Sequence, residues 1–210
     1  HASGANRASL LGSRTAVLVG ITFDDFLQAA SNVSDVYALT GSGHSIASGR
    51  LSYVLGLQGQ SLSVDTACSA AMTAIHTGAS MIRQGECSNA IAGGVALKFL
   101  PYPTLGSAAA GMLSKNGRCF TYDARANGYV RSDGVSTIIL TLPEGAGAVL
   151  ASSAVRSDGR SASLTAPNGV AQQGLLKAAH ANAGAASREL RALEAHGTGT
   201  ALGDPIEAGA

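Results

Sequence analysis

The sequence predicts an α/β fold built on a mainly parallel sheet, and three observations lead there. Short apolar runs with no polar face, "TAVLVGI" at 15–21, "NAIAGGVAL" at 89–97 and "STIILTL" at 136–142, read as strands buried on both sides. Segments of helical character lie between strands, so the two element types alternate. Apolar residues make up 46% of the 210, aromatics only 4%, and there are 27 glycines. That composition suits closely packed elements joined by many tight turns.

Taken in order, the first apolar run closes on Gly20 and is the first buried strand. "SIASGRLSYVLG" at 45–56 reads as a helix stopped by Gly56 and Gly59. "SLSVD" at 61–65 is a strand, followed by a helix over 69–84. In that helix Met72, Ile75, Ala79 and Ile82 share a face, and Gly85 is placed to cap its end. The runs at 89–97 and 136–142 complete the strands. Gly and Pro in "LPEGAGAV" at 142–149 mark a boundary or hairpin between two halves. "SRELRALEA" at 187–195 has helical propensity but leads straight into a Gly-Thr loop, so helix and strand both stay open there.

The formal charge is +1 and only 13% of residues are charged, with no basic stripe or acidic run. Nucleic acid and anionic membrane surfaces are therefore excluded as partners. No apolar run approaches the roughly 18 residues of a membrane span. The chain opens at His1 with "HASGANRASL", which lacks a signal-peptide pattern, and an internal piece of a longer protein is expected. Cysteines 68, 87 and 119 form no CxxC pair, no spacing that suits zinc and no even disulfide framework. A reducing, cytoplasmic setting fits them.

Cys68, in "VDTACSAAM", stands where a predicted strand turns into a predicted helix. Free N–H groups and the positive end of the helix dipole favour a thiolate at such a place, and small neighbours leave the sulfur approachable. Free cysteine is also among the most buried residue types, so packing and nucleophilic readings both stand on position alone. Cys87 and Cys119 read as packing residues.

A nucleophile needs a proton partner. His76 lies about 12 Å along the helix from Cys68 and off its face, so it is not the direct partner. His44 reads as structural or surface, and His180, on a helix flank rich in Ala, as solvated. His196, in "EAHGTGT", is followed by Gly197 and Gly199, which permit unusual backbone angles, and by the hydroxyls of Thr198 and Thr200. "GDPIE" then predicts a helix start, with Asp204 as N-cap, Pro205 at the first position and Glu207 completing a capping box.

"VDTACSAAM" and "EAHGTGTALGDPIEAGA" resemble the two signature segments of β-ketoacyl synthase domains, of the type I polyketide synthase kind. "HSIASGRLSYVLGLQG", "GRCFTYDARANGYVRSDG" and "DGRSASLTAPNGVAQ" resemble further family segments, in family order, so the resemblance runs from about Ser13 to the end. HGTGT, rather than the HGTST common in dissociated fatty-acid enzymes, leans toward the type I group. Departures are Ala70 for a common Ser, Gln60 for a common Pro and Asp133 for a common Glu. After His196 there is no second histidine and no lysine.

The resemblance implies a thiolase-like, layered αβαβα fold in truncated form. Residues 1–142 would be the N-terminal half, incomplete at its start, and residues 143–210 the beginning of the C-terminal half. It implies a strand end at Leu193–Ala195, against local propensity. It also implies that Cys68 receives an acyl chain as a thioester, with its own N–H as one oxyanion donor. His196 would support decarboxylation of a malonyl-type extender, whose carbanion attacks that thioester, and Thr198 and Thr200 would hold the pantetheine arm. No cofactor or metal is implied on the domain itself, because phosphopantetheine arrives on acyl carrier protein, loaded with acyl or malonyl groups. Homodimerisation through the nucleophile-bearing half is implied too. With the second histidine and much of the pocket outside the chain, the fragment alone is expected to be inactive.

Other readings are a fatty-acid β-ketoacyl synthase, a thiolase, a non-catalytic synthase-like scaffold or chain-length partner, and a papain-type hydrolase. The "EAHGTGT" segment speaks for a synthase over a thiolase, and retention of both Cys68 and His196 speaks against a scaffold. A papain-type enzyme would need a CGSCW-like segment at Cys68 and an Asn after His196, and neither is present.

Overall fold

The computed structural model describes residues 6–23, 25–30, 36–143, 147–184 and 187–210. They fall into two compact units, one from His1–Pro101 and Ser132–Ala148, the other from Tyr102–Arg131 and Val149–Ala210.

The first unit holds a four-stranded sheet of β1 (Thr15–Gly20), β2 (Ser61–Val64), β3 (Asn89–Ala96) and β4 (Gly134–Thr141), in the order β2-β1-β3-β4. β1 runs parallel to β2 and β3, while β4 is antiparallel to β3, so the sheet is mixed. Its helices are α1 (Arg7–Leu10), α2 (Asp25–Ala29), α3 (Ala38–Ser42), α4 (His44–Leu55) and α5 (Ala70–Arg83). Side-chain alternation along the pleat sends Leu18 toward α5, beside Gly78. Ser63, paired in register with Val19, faces the other way and meets Ser48 of α4 at 3.1 Å. The two long helices thus cover opposite faces, which keeps β1 buried from Thr15 to Leu18.

α4 ends at Gly56 and α5 at Gly85, both left-handed with φ of 67° and 73°, as the sequence predicts. After α5, the N–H of Glu86 returns to the Met81 carbonyl at 2.9 Å and closes the turn. The buried face of α5 differs from the expected one. Ala70, Ala74, Gly78, Ala79, Met81 and Ile82 are inside, Ile75 packs against the core, and Met72 is 67% exposed. Small residues face the sheet because the helix axis lies close to β1 and β3, which leaves no room for Met72.

β4 also departs from expectation. It forms as a strand but is an exposed edge, with Val135 68% and Ile139 49% accessible. Among the described residues only β3 pairs with it.

The second unit contains α6 (Tyr102–Ala109), α7 (Gly169–Ala183) and α8 (Gly203–Ala208) joined by long irregular segments. The Asn168 side chain caps α7, accepting from Val170 N at 3.1 Å and Ala171 N at 3.3 Å, and Gly184 ends it with φ 64°. Between 187 and 195 there is one short 3₁₀ turn, Ser187–Glu189, and then irregular backbone, so the expected strand end at Leu193–Ala195 does not form. A strand needs a neighbour for its ladder. Among the described residues, all four strands belong to the first unit.

Gly78 marks a close contact between the middle of α5 and the sheet. A Cβ there would sit 3.0 Å from Ala90 Cβ and 3.2 Å from Leu18 Cδ1. Gly78→Leu should therefore lower stability by about 1–3 kcal/mol despite better helix propensity. Urea unfolding checks this, and an unchanged midpoint would contradict the packing.

Candidate active site

Cys68 is an exposed thiol outside any disulfide, in a single 3₁₀ turn, Ala67–Ser69, between β2 and α5. Its place is set from below by two glycines at strand ends. A Cβ on Gly20 would lie 2.6 Å from Ala70 C and Ala71 N, and one on Gly94 would lie 2.8 Å from Ala71 Cβ. The first turn of α5 therefore rests directly on the C-terminal ends of β1 and β3, which are paired there in register. The connection is tight enough to force Ala67 to φ 52°, a region costing a non-glycine residue roughly 1–2 kcal/mol. Asp65 Oδ1 accepts the Ala67 N–H at 3.0 Å, and Ser69 Oγ donates to the Thr66 carbonyl at 2.8 Å. These bonds hold the turn in its strained shape.

The other two cysteines part company. Cys87 is 3% exposed, and burial pushes its thiol pKa up, in keeping with packing. Cys119, also expected to pack, is exposed, and its sulfur accepts the Val130 N–H at 3.2 Å. His44 is half-buried at the head of α4, with Nε2 3.2 Å from the Phe23 carbonyl.

His196, Thr198 and Thr200 come together on one loop of the second unit, while Cys68 belongs to the first. Gly197 and Gly199 take φ of 52° and 73°. The segment 119–121 lies so close that a Cβ on Gly199 would sit 2.9 Å from Phe120 N, and one on Gly197 2.7 Å from Thr121 Cγ2. Thr121 Oγ1 donates to the Gly197 carbonyl at 2.6 Å. The hydroxyls of Thr198 and Thr200 lie 3.1 Å apart, and Thr200 Oγ1 accepts the Gly203 N–H at 3.1 Å.

The capping box does not form. α8 starts at Gly203, and its two acids turn back to the loop. Glu207 Oε1 accepts the His196 N–H at 2.7 Å and Oε2 the Gly197 N–H at 2.8 Å. Asp204, 3% exposed, accepts Gly199 N–H at 3.0 Å and Tyr122 N–H at 2.7 Å. The left-handed glycines aim their N–H groups at these carboxylates, and charge-assisted bonds to the loop displace the local cap. Sequence reasoning missed this use of the acids, and it missed Tyr122 altogether. The usable signal was spacing: residues 204 and 207 share one side of a short helix directly after a Gly-Thr loop. Among the described residues, no group of three or more His, Cys, Asp or Glu is arranged to hold a metal ion. No helix among them is long and apolar enough to cross a membrane.

The family models for the N-terminal and C-terminal domains of β-ketoacyl synthase match residues 1–146 and 147–210. The chain belongs to the β-ketoacyl synthase family. This synthase chain is 45% identical to the phenolphthiocerol synthesis polyketide synthase type I of Mycobacterium bovis, with 98% of the chain and 10% of the relative covered. It is 42% identical to polyketide synthase GfsA of Streptomyces halstedii, covering 98% of the chain and 3% of that protein. Among solved structures it resembles the oxazolomycin ketosynthase domain of Streptomyces albus, with TM-score 0.90 and 36% identity over 98% of the chain and 38% of that domain. The module 6 ketosynthase of the Bacillus subtilis bacillaene synthase gives TM-score 0.83 and 30% identity, over 97% of the chain and 36% of that structure. The synthase chain thus takes the thiolase-like ketosynthase fold over a minor part of each of these proteins. Family membership removes the papain-type reading.

Burial works to raise the Glu207 carboxyl, but hydrogen bonds from Gly197, His196 and Tyr122 outweigh it and hold the group below its usual range. A carboxyl held low adds stability above its ordinary range, and that addition is lost as pH falls through the lowered value. Glu207→Gln should lower the thermal midpoint at about pH 7, and the gap from the parent should narrow toward about pH 3. Calorimetry across that span checks it. A gap that widens in acid would contradict the assignment.

Proposed function

We propose that this chain carries the acyl-accepting centre of a ketosynthase domain that extends polyketide chains by decarboxylative Claisen condensation. The observation that carries the reading is the exposed Cys68 thiol, held in a strained turn at the head of α5 over the strand ends. Cys68 sulfur attacks the carbonyl of an acyl thioester on acyl carrier protein. The tetrahedral centre collapses, the pantetheine thiolate leaves, and the acyl group stays on Cys68. A malonyl-type extender on a carrier protein then loses carbon dioxide. His196 donates a hydrogen bond to the developing enolate oxygen. The enolate carbon forms a bond to the Cys68 thioester carbonyl, and the Cys68 sulfur leaves.

Thr198 and Thr200 hold the pantetheine arm in this scheme, and their hydroxyls sit on the same rigid loop as His196. The domain itself holds no cofactor, since phosphopantetheine comes with the carrier protein as part of the substrate. Residues 1–142 form the N-terminal half and 143–210 the start of the C-terminal half, a division that the family models, meeting at 146 and 147, support. The polyketide synthase relatives favour polyketide over fatty-acid product. The intact domain works as a homodimer in the cytoplasm.

The two residues act on different substrates, so their losses should separate. In the intact ketosynthase domain carrying this chain, Cys68→Ala should abolish acyl loading from carrier protein. His196→Ala should leave loading largely intact and slow extender decarboxylation by about 10²–10³. Radiolabelled acyl transfer and carbon dioxide release measure the two steps. Loading that vanishes equally in both variants would sink the division of labour.

A further inference from the structure

Tyr122 has φ 55°, and among the described non-glycine residues only Ala67 shares that left-handed region. A bulky residue stays there only when its surroundings over-determine it. The buried Asp204 does so, taking the Tyr122 N–H on one oxygen at 2.7 Å and the Gly199 N–H on the other at 3.0 Å. Asp123 and Arg125 brace the same turn, 2.7 Å apart, with the guanidinium 4.6 Å from the centre of the Phe120 ring.

The strained backbone sends the phenol to Glu207, where Oη donates to Oε2 at 3.0 Å. Oε2 also accepts from Gly197 N, and Oε1 accepts from His196 N. Tyr122 therefore grips the carboxylate that accepts the backbone N–H of His196. Without the hydroxyl, the hydrogen bonds described for that carboxylate come only from the loop it holds, through His196 N and Gly197 N.

We propose that Tyr122 is a positioning residue for His196, its hydroxyl locking the Glu207 carboxylate and, through it, the backbone that carries the imidazole. This rests on the reading of His196 as the group that acts on the extender. A phenylalanine would keep the ring and the turn, so the function lies in the hydroxyl alone. Burial and the hydrogen bond to Glu207 both raise the Tyr122 pKa, moving it further above neutral pH, where a phenol is already a donor.

The test is Tyr122→Phe in the intact domain, read in two ways. Amide hydrogen exchange resolved at single residues by mass spectrometry should quicken about tenfold at His196 and Gly197, as expected for one lost bond to a charged group. Gly199, held by Asp204, should not change. The kcat for extender decarboxylation should fall several-fold, with KM for malonyl carrier protein and Cys68 loading unchanged. A Glu207→Gln, Tyr122→Phe double variant should lose little beyond Glu207→Gln alone, because both act through one link. Unchanged exchange at His196 and Gly197, or equal quickening at Gly199, would overturn the proposal, as would additive losses in the double variant. His196→Ala runs in parallel. If it leaves decarboxylation intact, the reading of His196 fails, and the exchange data still decide whether Tyr122 locks the loop.

Discussion

The first turn of α5 lies on bare strand ends, and the rest of the first unit is arranged around that approach. Gly20 and Gly94 supply the space, since any side chain there would collide with Ala70 or Ala71. Bringing the helix so near leaves only the short segment 65–69, ending in one 3₁₀ turn, in which to reverse direction after β2. That turn puts Ala67 into a left-handed conformation and leaves Cys68 exposed. The energy for holding it comes from the buried pairing of α5 with Ala16, Leu18, Ala90 and Ala92. A strained turn of this kind persists because the core beneath it is small-residue packing that tolerates no shift.

The second unit solves a different problem by different means. Its Gly-Thr loop has little apolar burial to hold it, and it runs through two left-handed glycines. Two carboxylates on a single short helix take up the N–H groups of His196, Gly197, Gly199 and Tyr122. Electrostatic fixation replaces packing where the chain is irregular, with Gly203 N–H on Thr200 Oγ1 closing the end of the loop.

The strands 15–20, 61–64 and 89–96 and the helix 70–83 were legible because apolar run length and flanking glycines are local signals. The exposure of β4 was not, since an apolar run says nothing about which edge of a sheet it occupies. Of α7 only the Ala-rich helix flank around His180 was legible, because its sequence has no apolar stripe, and no residue of it is fully buried. At 187–195 propensity suggested a helix and resemblance a strand, and neither formed without a packing or pairing neighbour. The place of Cys68 could be read from a strand followed by small residues. The roles of Asp204 and Glu207 could not, because the local pattern satisfied a capping box equally well. What decided between them was the direction of the glycine N–H groups, a property of the folded loop.

The central claim is that Cys68 is the atom that accepts the acyl group. The direct measurement is to expose the intact domain to a short acyl-pantetheine thioester and locate the adduct by tandem mass spectrometry. The account predicts one hydroxylamine-labile acyl group on the peptide that contains Cys68, with Cys87 and Cys119 unmodified. An adduct on Cys119 with Cys68 untouched would contradict it.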